Sequence, residues 1–196
     1  MELAQSFFAA LRRGEEARVP RYDKSLHSGA GDRVLPESSW DVVNGPGQRQ
    51  VQVVIVEGWC VGFRALGTAA EVEARWRGAG TRTLAHHRLE DLLLVNERLR
   101  AYDAALTDHL DAFVHIDAED TAWVYDWRLE QEVRLREDTG SGMSDDQVVR
   151  FVDAYYPAYE LFADKLRTGL FPKDKPGRQL RLVVGKDRRV KRSEVI

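Results

Sequence analysis

The chain has 196 residues, 43% apolar and 31% charged, with a formal net charge of −3. That is long enough for one domain with a real core, it is the composition of a soluble globular protein, and its slight acidity argues against general nucleic-acid binding. A single cysteine, Cys60, excludes an internal disulfide framework and fits a reducing compartment. No apolar run approaches the ~20 residues of a membrane span, and the N-terminus lacks the apolar core of a signal peptide, so a cytosolic location is expected.

Leu3–Arg13 reads as a short helix, with Leu3, Phe7, Ala10 and Leu11 on one side and Gly14 just past its end. A polar loop follows, Glu15–Pro36, and a loop of that length in a compact domain is usually functional. It carries Tyr22, Asp23, Lys24, Ser25, His27 and Ser28, then Asp32 and Arg33. Such groups can converge on a polyol or an acid. Lys24 or Arg33 could pair with a carboxylate, and Asp23 or Asp32 could accept from hydroxyls. The competing reading is a solvated loop with an Asx-turn.

Val51–Glu57, VQVVIVE, has the near-continuous apolar run of a parallel strand covered on both faces. It ends in Glu57-Gly58. A carboxylate at the carboxyl end of a parallel strand sits where open α/β sheets bind ligands, and Gly58 permits a sharp turn. Trp59 and Phe63 could wall a pocket or belong to the core, the core being favoured for Phe63. Gly78–Thr83 reads as a loop, Leu89–Leu106 as a helix and Asp111–Ile116 as a second parallel strand.

Thr121–Glu137 reads as a helix carrying Arg128, Arg134 and Arg136; on bland grounds it is an exposed helix with a Glu132–Arg136 pair at i,i+4. Thr139–Met143 is expected to be a flexible turn. Ser144 with Gln147 forms a capping box, opening a helix to about Leu166 with a kink at Pro157. Gln179–Val184 reads as a final strand and Lys186–Arg192 as an exposed basic tail. The alternation of strand and helix predicts an α/β fold with a mostly parallel sheet. His86-His87, His109 and His115 lack the spacing of a zinc site, and there is no G-x-S-x-G signature.

Four segments carry a resemblance: Arg18–Arg33, the stretch VVIVEGWCVGF ending at Phe63, Val95–Asp120 and Val124–Tyr159. Together they resemble the D-glycerate 3-kinase family of P-loop small-molecule kinases, relatives of uridine kinases, phosphoribulokinases and pantothenate kinases, over about Leu11 to Val184. The resemblance implies one P-loop kinase-like domain over 1–196, with helices on both faces of a mostly parallel sheet. It implies transfer of the ATP γ-phosphoryl to a hydroxyl of a small polar acid such as glycerate, with ATP and Mg²⁺ as cofactors. Glu57 would hold Mg²⁺ through water or orient the acceptor hydroxyl. Tyr22, Asp23 and His27 would line the acceptor pocket, as the similar loop does in uridine kinases, with Lys24, Asp32, Arg33 and Trp59 beside them. Arg128 and Arg134 would form a lid neutralising the phosphoryl charge, Arg128 as a catalytic group.

One feature of the family is missing. The phosphate-loop pattern G-x-x-x-x-G-K-[ST] does not occur: Gly185-Lys186 is followed by Asp187, Lys24-Ser25 is preceded by Asp23, and Gly29-Ala30-Gly31 leads to neither Lys-Ser nor Lys-Thr. Residues 1–196 are therefore expected to be N-terminally truncated relative to the family or to have lost ATP chemistry. In the second case the chain would be a non-catalytic P-loop-like remnant that binds a metabolite or a partner protein. Without the first strand and its helix, one flank of Val51–Glu57 lacks its usual neighbour, so the chain is expected to dimerise or aggregate through the uncovered edge, or to cover the gap with its N-terminal helix Leu3–Arg13.

Overall fold

The structure, a computed structural model, describes residues 1–28 and 30–196. It falls into two compact units: Met1–Val61 with Ala101–His109, and Gly62–Arg100 with Leu110–Ile196. No helix is long and apolar enough to cross a membrane.

In the first unit, helix α1 (Glu2–Arg13) ends where expected, because Gly14 adopts the left-handed conformation (φ 69°) that glycine takes without steric cost. Another side of it meets His109: the Phe8 ring stacks on the imidazole at 5.8 Å, and Arg12 donates to the His109 carbonyl at 2.7 Å. The segment expected to be a polar loop, Glu15–Pro36, contains one short antiparallel ladder and one strand of a second. Strand β1 (Ala17–Val19) pairs with β4 (Asp41–Val43), and β2 (Tyr22–Asp23) pairs with β3 (Asp32–Arg33). Trp40 is buried, its indole N–H donating to the Val34 carbonyl at 2.7 Å. Asn44 accepts from the Val51 amide at 2.7 Å.

Past that amide the main expectation of the sequence fails. Val51–Glu57 joins no ladder among the described residues, and Val53 and Ile55 are 75% and 88% exposed. An apolar β-branched run is buried only if neighbouring strands and a covering layer are present, and here the segment has neither.

The second unit holds the larger core and a three-stranded sheet in the order β5 (Phe113–Ala118), β6 (Gln179–Val184), β7 (Val190–Val195). The first ladder is parallel and the second antiparallel, so the sheet is mixed. The α/β class expected from the sequence holds. The basic tail turns out to be the hairpin to β7. Helix α2 (Ala69–Trp76) is capped by Thr68, whose side chain accepts from the Glu71 amide. Helix α3 (Leu89–Ala105) begins in this unit, where buried Asn96 brackets Leu66 by accepting from its amide and donating to its carbonyl.

Helix α4 (Trp123–Thr139) packs on α5 (Asp145–Arg167). Val148, Val152 and Tyr156 form the centre of that contact, with Val124, Leu129 and Met143 around them. The Ser144–Gln147 capping box is present with both of its hydrogen bonds, and α5 continues through Pro157 to Arg167. Phe63 is core, as favoured, at 4% exposure.

Candidate functional site

The β2–β3 hairpin gathers most of the expected acceptor residues. Its two rungs pair Tyr22 with Arg33 and Asp23 with Asp32, setting two carboxylates opposite each other. Like charges in that position repel, so each needs local compensation. Asp23 Oδ1 accepts from the Ser25 hydroxyl at 2.6 Å and from the Ser25 amide at 2.8 Å. The hydroxyl first, then the amide, holds the Asp23 carboxyl below the usual carboxylate range. This is the Asx-turn of the bland reading. Asp32 Oδ1 accepts from the Arg33 amide at 2.7 Å, and its other oxygen lies 3.3 Å from His27 Nε2. The Arg33 amide is the main cause of the lowered Asp32 pKa, with His27 adding to it.

Between the strands the chain turns through left-handed residues. His27 and Ser28 stand at φ 52° and 58°, an uncommon conformation for residues with a Cβ. Gly31 (φ 75°) lies against the Tyr22 ring where a Cβ would collide with it, and the Tyr22 hydroxyl donates to the Ala30 carbonyl at 3.2 Å. Lys24 and Arg33 are exposed on the same hairpin. The result is a preformed polar turn with two acidic and two basic side chains and an imidazole. It suits a small ligand that carries both hydroxyls and a carboxylate.

Glu57 ends the unpaired segment and Trp59 follows it; both are exposed, Trp59 at 51%. Among the described residues, no hydrogen bond or ion pair links Glu57 to the hairpin. Among the described residues, no group of three His, Cys, Asp or Glu side chains is placed so that it could hold a metal ion.

The expected lid arginines lie on α4. Arg128 is committed locally. Its guanidinium pairs with Glu132 one turn on and lies 4.8 Å from the centre of the Phe151 ring. Glu132 is buried at 3% exposure and also accepts from the Met143 amide at 3.1 Å, so the pair ties the α4–α5 turn to α4. This replaces the expected Glu132–Arg136 pair. Arg136 reaches past the turn to the Met143 carbonyl and Asp145, at 2.9 and 2.8 Å. That makes Thr139–Met143 a tethered turn, because three side chains bind across it. Arg134 lines an open groove of about 520 Å³ with Leu129, Val133 and Lys186.

Sequence reasoning missed a buried charge cluster. Asp117 on β5 receives two-point hydrogen bonding from Arg167 at the end of α5, and Arg181 on β6 donates to it at 2.6 and 2.9 Å. Burial alone would push the Asp117 carboxyl up, but Arg167 and Arg181 outweigh it and hold it below its ordinary range. A second missed group is Glu160, which caps the loop before Leu84 by accepting from the Thr83 hydroxyl at 2.5 Å and from the Arg82 and Thr83 amides. The only local signal for Asp117 was a carboxylate at an inward position of an alternating strand.

No family model matches the chain. Individual proteins do. The chain is 37% identical over 166 residues to the chloroplastic D-glycerate 3-kinase of Arabidopsis thaliana, which covers 85% of this chain and 32% of that protein. It is 31% identical over 147 residues to a probable ATP-dependent kinase, TDA10, of Saccharomyces cerevisiae, covering 74% and 44%. The solved structure of D-glycerate 3-kinase from Cryptococcus neoformans superposes with a TM-score of 0.84 at 33% identity, over 100% of this chain and 66% of that one. The chain thus spans about a third of the length of the first of those curated relatives and less than half of the second.

Proposed function

We propose that this chain, which belongs to the D-glycerate 3-kinase family, provides the acceptor side of an ATP-dependent small-molecule kinase that phosphorylates a hydroxyl of a small polar acid such as glycerate. The observation that supports this reading most is the 37% identity to a D-glycerate 3-kinase over 166 residues, 85% of this chain.

In this reading Lys24 or Arg33 pairs with the acceptor carboxylate, Asp23 and His27 bind its hydroxyls, and Tyr22 and Trp59 flank it. Asp32 acts beside them by holding His27. Glu57 orients the hydroxyl that is phosphorylated. A lone exposed carboxylate also fits Mg²⁺, which keeps most of its water and takes its remaining ligands from phosphates. ATP fits less well. Residues 1–196 contain no G-x-x-x-x-G-K-[ST], so the usual backbone cradle for phosphates has no counterpart among them. Arg134 and Arg128 are the cations of the proposed lid. Arg128 would have to leave Glu132 to serve there, which makes Arg134 the readier of the two.

The test is titration calorimetry of D-glycerate into the intact chain. Saturable binding that weakens at least tenfold in both Asp23→Asn and His27→Ala supports the assignment. No binding by a folded chain, or binding indifferent to both substitutions, removes the acceptor site from this hairpin.

A further inference from the structure

We propose that Arg136 is the reserve partner of the buried Glu132 carboxylate, a positioning residue that lets Arg128 leave Glu132 for a phosphoryl oxyanion. That Arg128 serves such a group is the premise, and it rests on the lid of the proposed kinase function. The exchange of partners rests on the turn between α4 and α5 alone.

A carboxylate as buried as that of Glu132 is costly without a cation beside it. Arg128 would strand it on leaving, since the Met143 amide that donates to it at 3.1 Å does not offset a full charge. Arg128 is also held incompletely where it stands. Its Nε is buried and has no hydrogen-bond partner. It precedes Glu132 by one turn, the weaker order for an i,i+4 pair of opposite charges on a helix.

Arg136 is placed to take over. It follows Glu132 by one turn, which is the stronger order. The two side chains already bracket one residue: Glu132 accepts from the Met143 amide, and Arg136 donates to the Met143 carbonyl at 2.9 Å. A Cβ at Gly142 would come 3.0 Å from Arg136 Cγ and 3.2 Å from Glu132 Oε2, so its absence leaves the two side chains a shared space.

The carboxylate that Arg136 now holds can do without it. The Asp145 side chain is 69% exposed and opens α5, where water and the helix N-terminus both stabilise a negative charge. Glu132 lies in mid-helix and out of water. The exchange therefore keeps the buried charge paired and leaves only an exposed carboxylate without its arginine.

Urea unfolding of the intact chain tests this with Arg128→Met, Arg136→Met and the two together, methionine keeping the apolar stems. If each arginine covers for the other, the double variant should lose at least about fivefold more in its folding equilibrium constant than the two single losses multiplied. Adding Glu132→Gln to the double variant should recover stability, because no buried charge then remains. A double variant that does not fold is the extreme of the same result, and Glu132→Gln should then restore folding. Single losses that simply multiply, or a double variant that Glu132→Gln does not recover, would overturn the proposal. The premise is read separately, from the Arg128 and Arg136 Nε–H resonances during a titration with pyrophosphate. Both should shift saturably, and in Glu132→Gln only that of Arg128 should. An Arg128 resonance that pyrophosphate does not move overturns the proposal through its premise. An Arg136 shift that survives Glu132→Gln overturns it by showing direct contact with the anion. Neither measurement involves glycerate, so failure of the acceptor assignment is seen apart from failure here.

Discussion

Asp117 and Arg181 stand on adjacent parallel strands, and Arg181 Nη2 donates to the carboxylate at 2.6 Å while Arg167 grips it from the end of α5. The Asp117 side chain is only 6% exposed. Removing one partner of such a cluster leaves buried charge without compensation. Asp117→Asn, which keeps the volume, is expected to lower stability by about 3 kcal/mol. Urea unfolding followed by circular dichroism measures this; a loss below half that value would mean the arginines find solvent easily.

The same cluster sets a direction with pH. Burial holds His115 below the ordinary imidazole value; Asp117 opposes this, while Arg181 and Arg167 reinforce it. A group whose folded pKa is depressed gives up stability as pH falls below its unfolded value of ~6.5, because the unfolded chain then binds the proton more readily. Asp117, depressed as a carboxyl, adds a further loss below pH ~4 by the same sign. The melting temperature should therefore fall between pH 7 and 5, and His115→Gln should flatten that part of the profile. An unchanged slope in the variant would assign the effect to other groups.

Glu132 is expected to matter for folding more than its place on a surface helix suggests. It holds Arg128 and the Met143 amide together. Glu132→Gln should cost about 2 kcal/mol, as a charged partner of a half-buried guanidinium is lost. Arg128→Ala paired with it in a double-mutant cycle should show coupling above ~0.5 kcal/mol. Additive effects would show that the pair contributes nothing beyond its separate parts.

Glu57 is expected to behave oppositely. It is exposed and lies outside the hairpin's hydrogen-bond network, so Glu57→Gln should leave stability within ~0.5 kcal/mol of the starting chain. If it orients the acceptor, glycerate affinity should fall with the fold intact. Calorimetry and thermal melting on one preparation separate the two, and equal glycerate affinity in the variant would remove Glu57 from the site.

MgATP is expected to bind residues 1–196 weakly, since they contain no phosphate-loop pattern and the backbone cradle normally carries much of the affinity. Titration calorimetry showing low-micromolar binding would mean that another part of this chain, with the Arg134 groove the first candidate, holds the phosphates.

What was legible in the sequence was what neighbours in the chain decide. The end of α1 at Gly14, the Ser144–Gln147 box and the limits of β6 follow from caps, propensity and period, all of which act within a few residues. The polar hairpin residues were legible as a group for the same reason, although their ladder was not. Tertiary structure alone decided the rest. Whether Val51–Glu57 is a core strand depends on partners that the run itself does not encode, and without them the same valines face solvent. Asp117 shows the converse. Its arginines lie 50 and 64 residues away in the chain, so only folding could bring them to one carboxylate. Arg128 turned to Glu132 rather than outward because burial of that carboxylate, a property of the α4–α5 contact, made a partner necessary.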